Sequence, residues 1–178
     1  MSVFIKLIKN VCASKSGLLL AALMLVLSAQ GVSAQRPGVE TNFASLFSRS
    51  CVKAPGRNSR VDTNHIEEVS VGRRFKRSVA RIDPGSETNP FLMTCNVNLQ
   101  DSPSPFGILT LDVGHEDSSG DVSTLNIYLD GNLSGSFTIR EGDVRKILVD
   151  IADVQDVAIE AAGDRYLYVF DATLHPLN

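Results

Sequence analysis

Residues 123–131 read STLNIYLDG, and their period decides the fold. Successive side chains of an extended strand point to opposite faces, so Leu125, Ile127 and Leu129 fall on one side and Thr124, Asn126 and Tyr128 on the other. Asp130-Gly131 is a residue pair that tolerates positive φ, and it turns the chain back toward Phe137 and Ile139 as a hairpin. Upstream, residues 106–113 (FGILTLDV) follow a Ser-Pro-Ser-Pro breaker, and their apolar run predicts a strand buried on both faces. Downstream, Glu141-Gly142-Asp143 breaks the chain before Ile147, Val149 and Ile151. Residues 157–161 (VAIEA) and 166–170 (YLYVF) close the series, separated by Gly163-Asp164. Residues 65–71, 75–82 and 91–97 supply the remaining strands. Short strands, frequent turns and no long helical period predict an all-β domain over residues 64–178, an antiparallel β-sandwich.

The first 34 residues carry a different pattern. Lys6, Lys9 and Lys15 precede a short apolar run, residues 17–28 (GLLLAALMLVLS), and Val32-Ser33-Ala34 offers small residues for cleavage. This is the layout of a cleavable signal peptide over residues 1–34. The run falls short of the ~20 residues a membrane-crossing helix needs. A secreted or periplasmic protein with no stable membrane span after cleavage is expected. Residues 35–63 then read as an N-terminal segment, in which Asn42 caps a short helix with Phe43, Leu46 and Phe47 on one face.

Cys12 leaves with the signal, so Cys51 and Cys95 remain. An even pair in an oxidising compartment predicts a disulfide, tying the N-terminal segment to the sandwich. A loop of that length is worth roughly 4 kcal/mol in the chain-entropy model. A reduced metal site would need more ligands than two Cys and three scattered His supply.

Charge is unevenly spread. Residues 35–81 hold ten Lys/Arg against four Asp/Glu, whereas residues 82–178 hold four against sixteen, a net charge of −6 over both. Nucleic acid is not the partner expected of an exported acidic chain. The sharpest basic cluster, Arg73-Arg74-Phe75-Lys76-Arg77 with Arg81, suits an acidic polysaccharide or an anionic membrane. The plainer reading, and the favoured one, is a solvated strand or hairpin facing the acidic half. Asn132-Leu133-Ser134 is a glycosylation sequon at a hairpin turn.

Two sets of side chains are candidates for ligands. Residues 115–121 (HEDSSGD) form the densest polar loop, where Glu116, Asp117 and Asp121 could hold Ca²⁺, a cation that takes six to eight oxygens. The competing role is that of solvated turn carboxylates. Tyr128, Tyr166 and Tyr168 are the only tyrosines, and an exposed ring offers a sugar an apolar face with a polar tip. His115, at the head of the polar loop, joins them as a candidate, and a half-buried sheet position is the alternative for each tyrosine. No Gly-x-Ser-x-Gly elbow, His-Glu-x-x-His, phosphate-binding glycine loop or Cys-x-x-Cys occurs, so no enzyme is expected.

Leu111-Asp-Val-Gly-His-Glu-Asp117, then Leu125 to Gly131, Val149-Asp-Ile-Ala-Asp-Val154 and Tyr166 to Leu174 together resemble the NPCBM family of carbohydrate-binding modules. The resemblance covers about residues 106–175 and implies a galactose-binding-like jelly roll. It also implies a non-catalytic module whose partner is a glycan or cell-envelope polysaccharide, and structural calcium of the kind many such sandwiches hold. Phe170 stands where the family often has Trp, and Ala152-Asp153 replaces Ser-Gly. The matched positions are turns and strand ends, so the resemblance assigns no binding residue. An envelope structural or protein-interaction sandwich without a sugar site is the second reading, and a glycosidase-like pair of carboxylates the third.

Overall fold

The computed structural model describes residues 43–54, 60–64, 66–98, 105–117, 120–163 and 165–177. The expected signal peptide and the Asn42 cap lie outside them. Seven long strands make the body of the fold: β7 (Phe91–Asn96), β8 (Phe106–Gly114), β9 (Val122–Leu129), β10 (Asn132–Arg140), β11 (Val144–Asp150), β12 (Asp156–Gly163) and β13 (Leu167–Pro176). Six short ones precede them: β1 (Ala44–Ser45), β2 (Cys51–Lys53), β3 (Val61–Asp62), β4 (Glu68–Val71), β5 (Arg74–Arg77) and β6 (Ala80–Ile82). The first sheet runs β11-β8-β13-β6-β3, with β1 also on β13, and the second runs β10-β9-β12-β7-β2. Every named pairing is antiparallel. Apart from the β9–β10 hairpin, successive long strands alternate between the sheets, as in a jelly roll.

The interior follows from alternation. Leu125 and Ile127 of β9, Val157, Ile159 and Ala161 of β12, and Phe91, Met93 and Cys95 of β7 point inward from the second sheet. Leu109, Leu111 and Val113 of β8, Ile147 and Val149 of β11, and Leu167 and Val169 of β13 meet them from the first. On β13 the inward positions then change parity, to Ala172 and Leu174, because a bulge between Val169 and Asp171 inserts one residue into the ladder against β8. The Asp130-Gly131 turn forms as expected, with φ of 48° and 81°.

The N-terminal segment differs from its expectation. The helix shrinks to one 3-10 turn, Leu46–Ser48, which buries Leu46 while Phe43 stays exposed against the His175 ring. Backbone pairing of β1 with β13 and of β2 with β7 holds this stretch extended, so the segment contributes strands to both sheets. The disulfide joins Cys51 and Cys95, which face each other across β2 and β7 on the core side. The expected strand over residues 75–82 breaks at Ser78 and Val79 into β5 and β6. β4 and β5 form a separate hairpin, turning at Gly72 and Arg73 with φ of 58° and 63°. Val69 and Val71 on its inner side pack with Tyr168, Phe170 and Val144 on the outer face of the first sheet. The basic cluster is therefore a hairpin that covers one sheet.

Candidate functional site

Three expected ligand positions serve the scaffold. His115 is fully buried between the sheets: its Nδ1 lies 3.1 Å from the Tyr166 carbonyl and its Nε2 2.9 Å from the Ser123 hydroxyl. A carbonyl only accepts, so Nδ1 carries the proton and Nε2 accepts from Ser123. Burial pushes the imidazole pKa down, against opposing pulls from Asp121, the Tyr166 carbonyl and Glu116. Because the ring is enclosed, His115 cannot reach a sugar at the surface. Tyr168 is buried beneath the β4–β5 hairpin, and burial, reinforced by Glu116 and Glu67, pushes its phenol up to about 12.

Asp117 accepts hydrogen bonds from the Ser70 hydroxyl (2.7 Å) and from the backbone amides of Gly72 (2.8 Å) and Arg73 (3.0 Å). The Ser70 bond first, then the Arg73 amide, hold its carboxyl below the usual range. Asp121 pairs with Arg165 at 3.7 Å. Among the described residues, no three His, Cys, Asp or Glu side chains come together to hold a metal. The donors expected for calcium do not fit it here: Asp117 spends both oxygens on the hairpin turn, and Glu116 and Asp121 are not brought onto a common centre with it.

The remaining two tyrosines keep access to solvent. Tyr166 is 39% exposed, with the Arg81 guanidinium 4.1 Å from its ring centroid. One ring face is thus taken by a cation. Tyr128 projects from the outer face of the second sheet, and its hydroxyl donates to Glu160 Oε1 at 3.1 Å. Asn126 Nδ2 donates to the same oxygen at 2.9 Å. Burial and the Glu160 carboxylate both raise the Tyr128 pKa, so the phenol keeps its proton and stays a donor.

Register places these groups in one row. Across β9 and β12, Thr124 pairs with Ala162, Asn126 with Glu160 and Tyr128 with Ala158. At the Thr124 end the row runs into a recess of about 510 Å³ lined by Ser86, Glu87, Thr88, Val122, Thr124, Ala162 and Gly163. The β6–β7 connection forms its wall, held against β12 by the Gly163 amide donating to the Gly85 carbonyl at 3.0 Å. Small residues at 162 and 163 keep the floor low, and hydroxyls, an amide and a carboxylate line the way to the Tyr128 ring. Sequence reasoning placed Tyr128 and Asn126 on this face and passed over Glu160, a single acid within the apolar run VAIEA. Its cross-strand pairing with Asn126 is the signal that identifies it.

No family model matches this chain, and no curated protein matches it by sequence. Solved structures match its fold. One is a Clostridium perfringens ZmpB chain containing an M60 catalytic domain with the CBM51-1 and CBM51-2 domains (TM-score 0.56, 14% identity, 76% of this chain and 15% of that one). Another holds CBM51-2 in complex with GlcNAc and INT domains of the same protein (TM-score 0.53, 14% identity, 75% and 31%). A third is the CBM51 of Clostridium perfringens GH95 in complex with methyl-galactose (TM-score 0.55, 12% identity, 74% and 99%). The chain thus spans a small part of the first two and nearly the whole of the third. The fold of these carbohydrate-binding modules is the fold observed here, a galactose-binding-like β-sandwich as its sequence led one to expect.

Proposed function

We propose that this chain is an exported, non-catalytic carbohydrate-binding module, and that a glycan lies along the outer face of β9 and β12. One observation carries the reading: Tyr128, Asn126 and Glu160 share a hydrogen-bonded row that opens into the polar recess beside Ser86 and Thr88. A pyranose has an apolar C–H face and a belt of hydroxyls. The Tyr128 ring meets the first, while the Glu160 carboxylate and the Asn126 amide meet the second through charge-assisted and neutral hydrogen bonds. Hydrogen bonds to a charged group contribute about 1.5–3 kcal/mol each, so a few such contacts suffice for a shallow site.

The row also argues for binding rather than turnover. Glu160 sits mid-strand on an open sheet, already accepting from two neutral donors, whereas glycoside cleavage needs two carboxylates flanking the scissile bond. Export by residues 1–34 agrees with the Cys51–Cys95 disulfide. Among the described residues no helix is long and apolar enough to cross a membrane. The glycan would be a free polysaccharide or part of a cell envelope.

GlcNAc polymers and galactosides, the sugar types held by two structural neighbours, are the first probes. Affinity electrophoresis should retard the exported chain in at least one neutral or acidic polysaccharide. Tyr128→Ala and Glu160→Gln should each weaken that retention about ten-fold, the equivalent of 1.4 kcal/mol, with the unfolding midpoint nearly unchanged. Migration unaffected by every polysaccharide tried would turn the reading toward an envelope protein-interaction role.

A further inference from the structure

The β4–β5 hairpin has a second side. Glu68 pairs with Arg77, Val69 with Lys76, Ser70 with Phe75 and Val71 with Arg74. The Ser78 amide donates to the Glu67 carbonyl at 2.9 Å, which extends the ribbon and brings Ile66 level with Val79. Val69 and Val71 face the first sheet, so alternation turns Ile66, Glu68, Phe75, Arg77 and Val79 away from it. Three of these are apolar and open to solvent: Phe75 is 79% exposed, Ile66 53% and Val79 41%. Exposed Arg77 lies among them and exposed Arg73 borders them at the turn, while Arg74 and Lys76, paired with Val71 and Val69, belong to the sheet-facing side. Of the acids nearby, Asp117 is engaged by the turn, and Glu68, opposite Arg77, offsets part of its charge; residues 66–79 as a whole still hold four Lys/Arg against two Glu.

We propose that this ribbon face docks the domain onto an anionic phospholipid surface. Charge complementarity selects the occupant: residues 35–178 carry a net −6, whereas the ribbon is net positive, so an anionic surface attracts the ribbon and repels the domain as a whole. Arginine forks fit phosphate oxygens. Ile66 and Val79 offer a sugar no stacking plane, yet beside Phe75 they gain from entering the boundary between headgroups and acyl chains. The ribbon arrives preformed, because Asp117 clamps its turn through Ser70, Gly72 and Arg73. It lies over the first sheet, whereas the Tyr128 row lies on the outer face of the second. A docked domain would therefore present its polar row away from the membrane. The inference stands on different residues from the glycan reading and can fail without it.

The test is co-sedimentation of the exported chain with phosphatidylcholine vesicles, with and without phosphatidylglycerol, at about 0.1 M salt. Binding is expected only with phosphatidylglycerol. Phe75→Ser should weaken it about ten-fold, and Arg77→Ser about five-fold, since each surface-bound cation contributes about 1 kcal/mol. Arg73→Asn, which keeps a residue tolerant of positive φ at the turn, should match Arg77→Ser. Unfolding midpoint and polysaccharide retention should not change in any of the three. Equal sedimentation with both vesicle types would overturn the proposal. So would phosphatidylglycerol binding that survives Phe75→Ser at full strength, or capture by soluble polygalacturonate without vesicle binding.

Discussion

The two sheets share one interior and differ outside. The first turns Tyr168, Phe170 and Val144 outward, and a hairpin folds down to cover them with Val69 and Val71. The second turns Thr124, Asn126, Tyr128, Thr138 and Glu160 outward, and among the described residues no element covers its central strands, with the Tyr128 hydroxyl and the Asn126 amide satisfied by Glu160. The same alternation produces both faces. What differs is the chemistry at the outward positions. Apolar outward side chains gain about 25 cal/mol per Å² from a cover, whereas polar ones would have to be rematched with partners. The outward rows thus differ in what they ask of their surroundings: one face recruits a cover, the other matches its polar atoms to one another.

A pair of tyrosines tests that contrast most sharply. Tyr168→Ala empties part of the small cluster under the hairpin and should cost about 3 kcal/mol in urea unfolding. Tyr128→Ala, on the open face, should cost less than about 1 kcal/mol. Equal losses at the two sites would mean the second sheet is packed as tightly outside as the first, and the open-face reading would fail.

How much of this was legible in the sequence depends on the length of each pattern. STLNIYLDG shows three full alternations and a turn, so the inward row of β9 and the hairpin after it are as expected. The run YLYVF is apolar on both sides, which implies a cover for Tyr168 without naming it. That the cover would be the hairpin bearing the basic cluster depends on long-range packing, which periodicity does not report. The parity change on β13 is equally hidden, because a bulge leaves the composition untouched. At Phe43, Leu46 and Phe47 the helical spacing misleads: three apolar residues are too few to outweigh strand pairing on either side. His115 reads as a loop residue because its neighbours are acidic, yet it directly follows the β8 strand and turns inward to Ser123.

The cover's attachment can be loosened separately. Asp117→Asn replaces one accepting oxygen with a donor, so it cannot serve the Ser70 hydroxyl and both turn amides together. Tryptic cleavage among Arg73, Arg74, Lys76 and Arg77 should speed up while the sandwich still unfolds cooperatively. In the unmodified chain acid should do the same. The folded carboxyl titrates below its unfolded value of roughly 4, so its hold is complete above that value and is lost as pH falls through the folded one. Gly72 and Arg73 amide resonances should move together over that range, and should stay still in Asp117→Asn.

The smallest effect should come from the group that joins the two faces. His115 lies at the end of β8, donates to the carbonyl of Tyr166 just before β13 and accepts from Ser123 on β9, so one ring links the covered sheet to the open one. Only the neutral ring can do both, and burial favours that form. Its folded pKa therefore lies below the unfolded value of about 6.5. The contribution is complete above that value and is lost as pH falls through the folded one, because the unfolded chain binds the proton more readily. The thermal midpoint should drop modestly between pH 7.5 and pH 5, ahead of the carboxylates. His115→Gln keeps a donor and an acceptor without titrating, so its midpoint should be flatter across the same interval. A wild-type midpoint as flat as that of the variant would show that the linkage between the faces does not depend on the charge state of this ring.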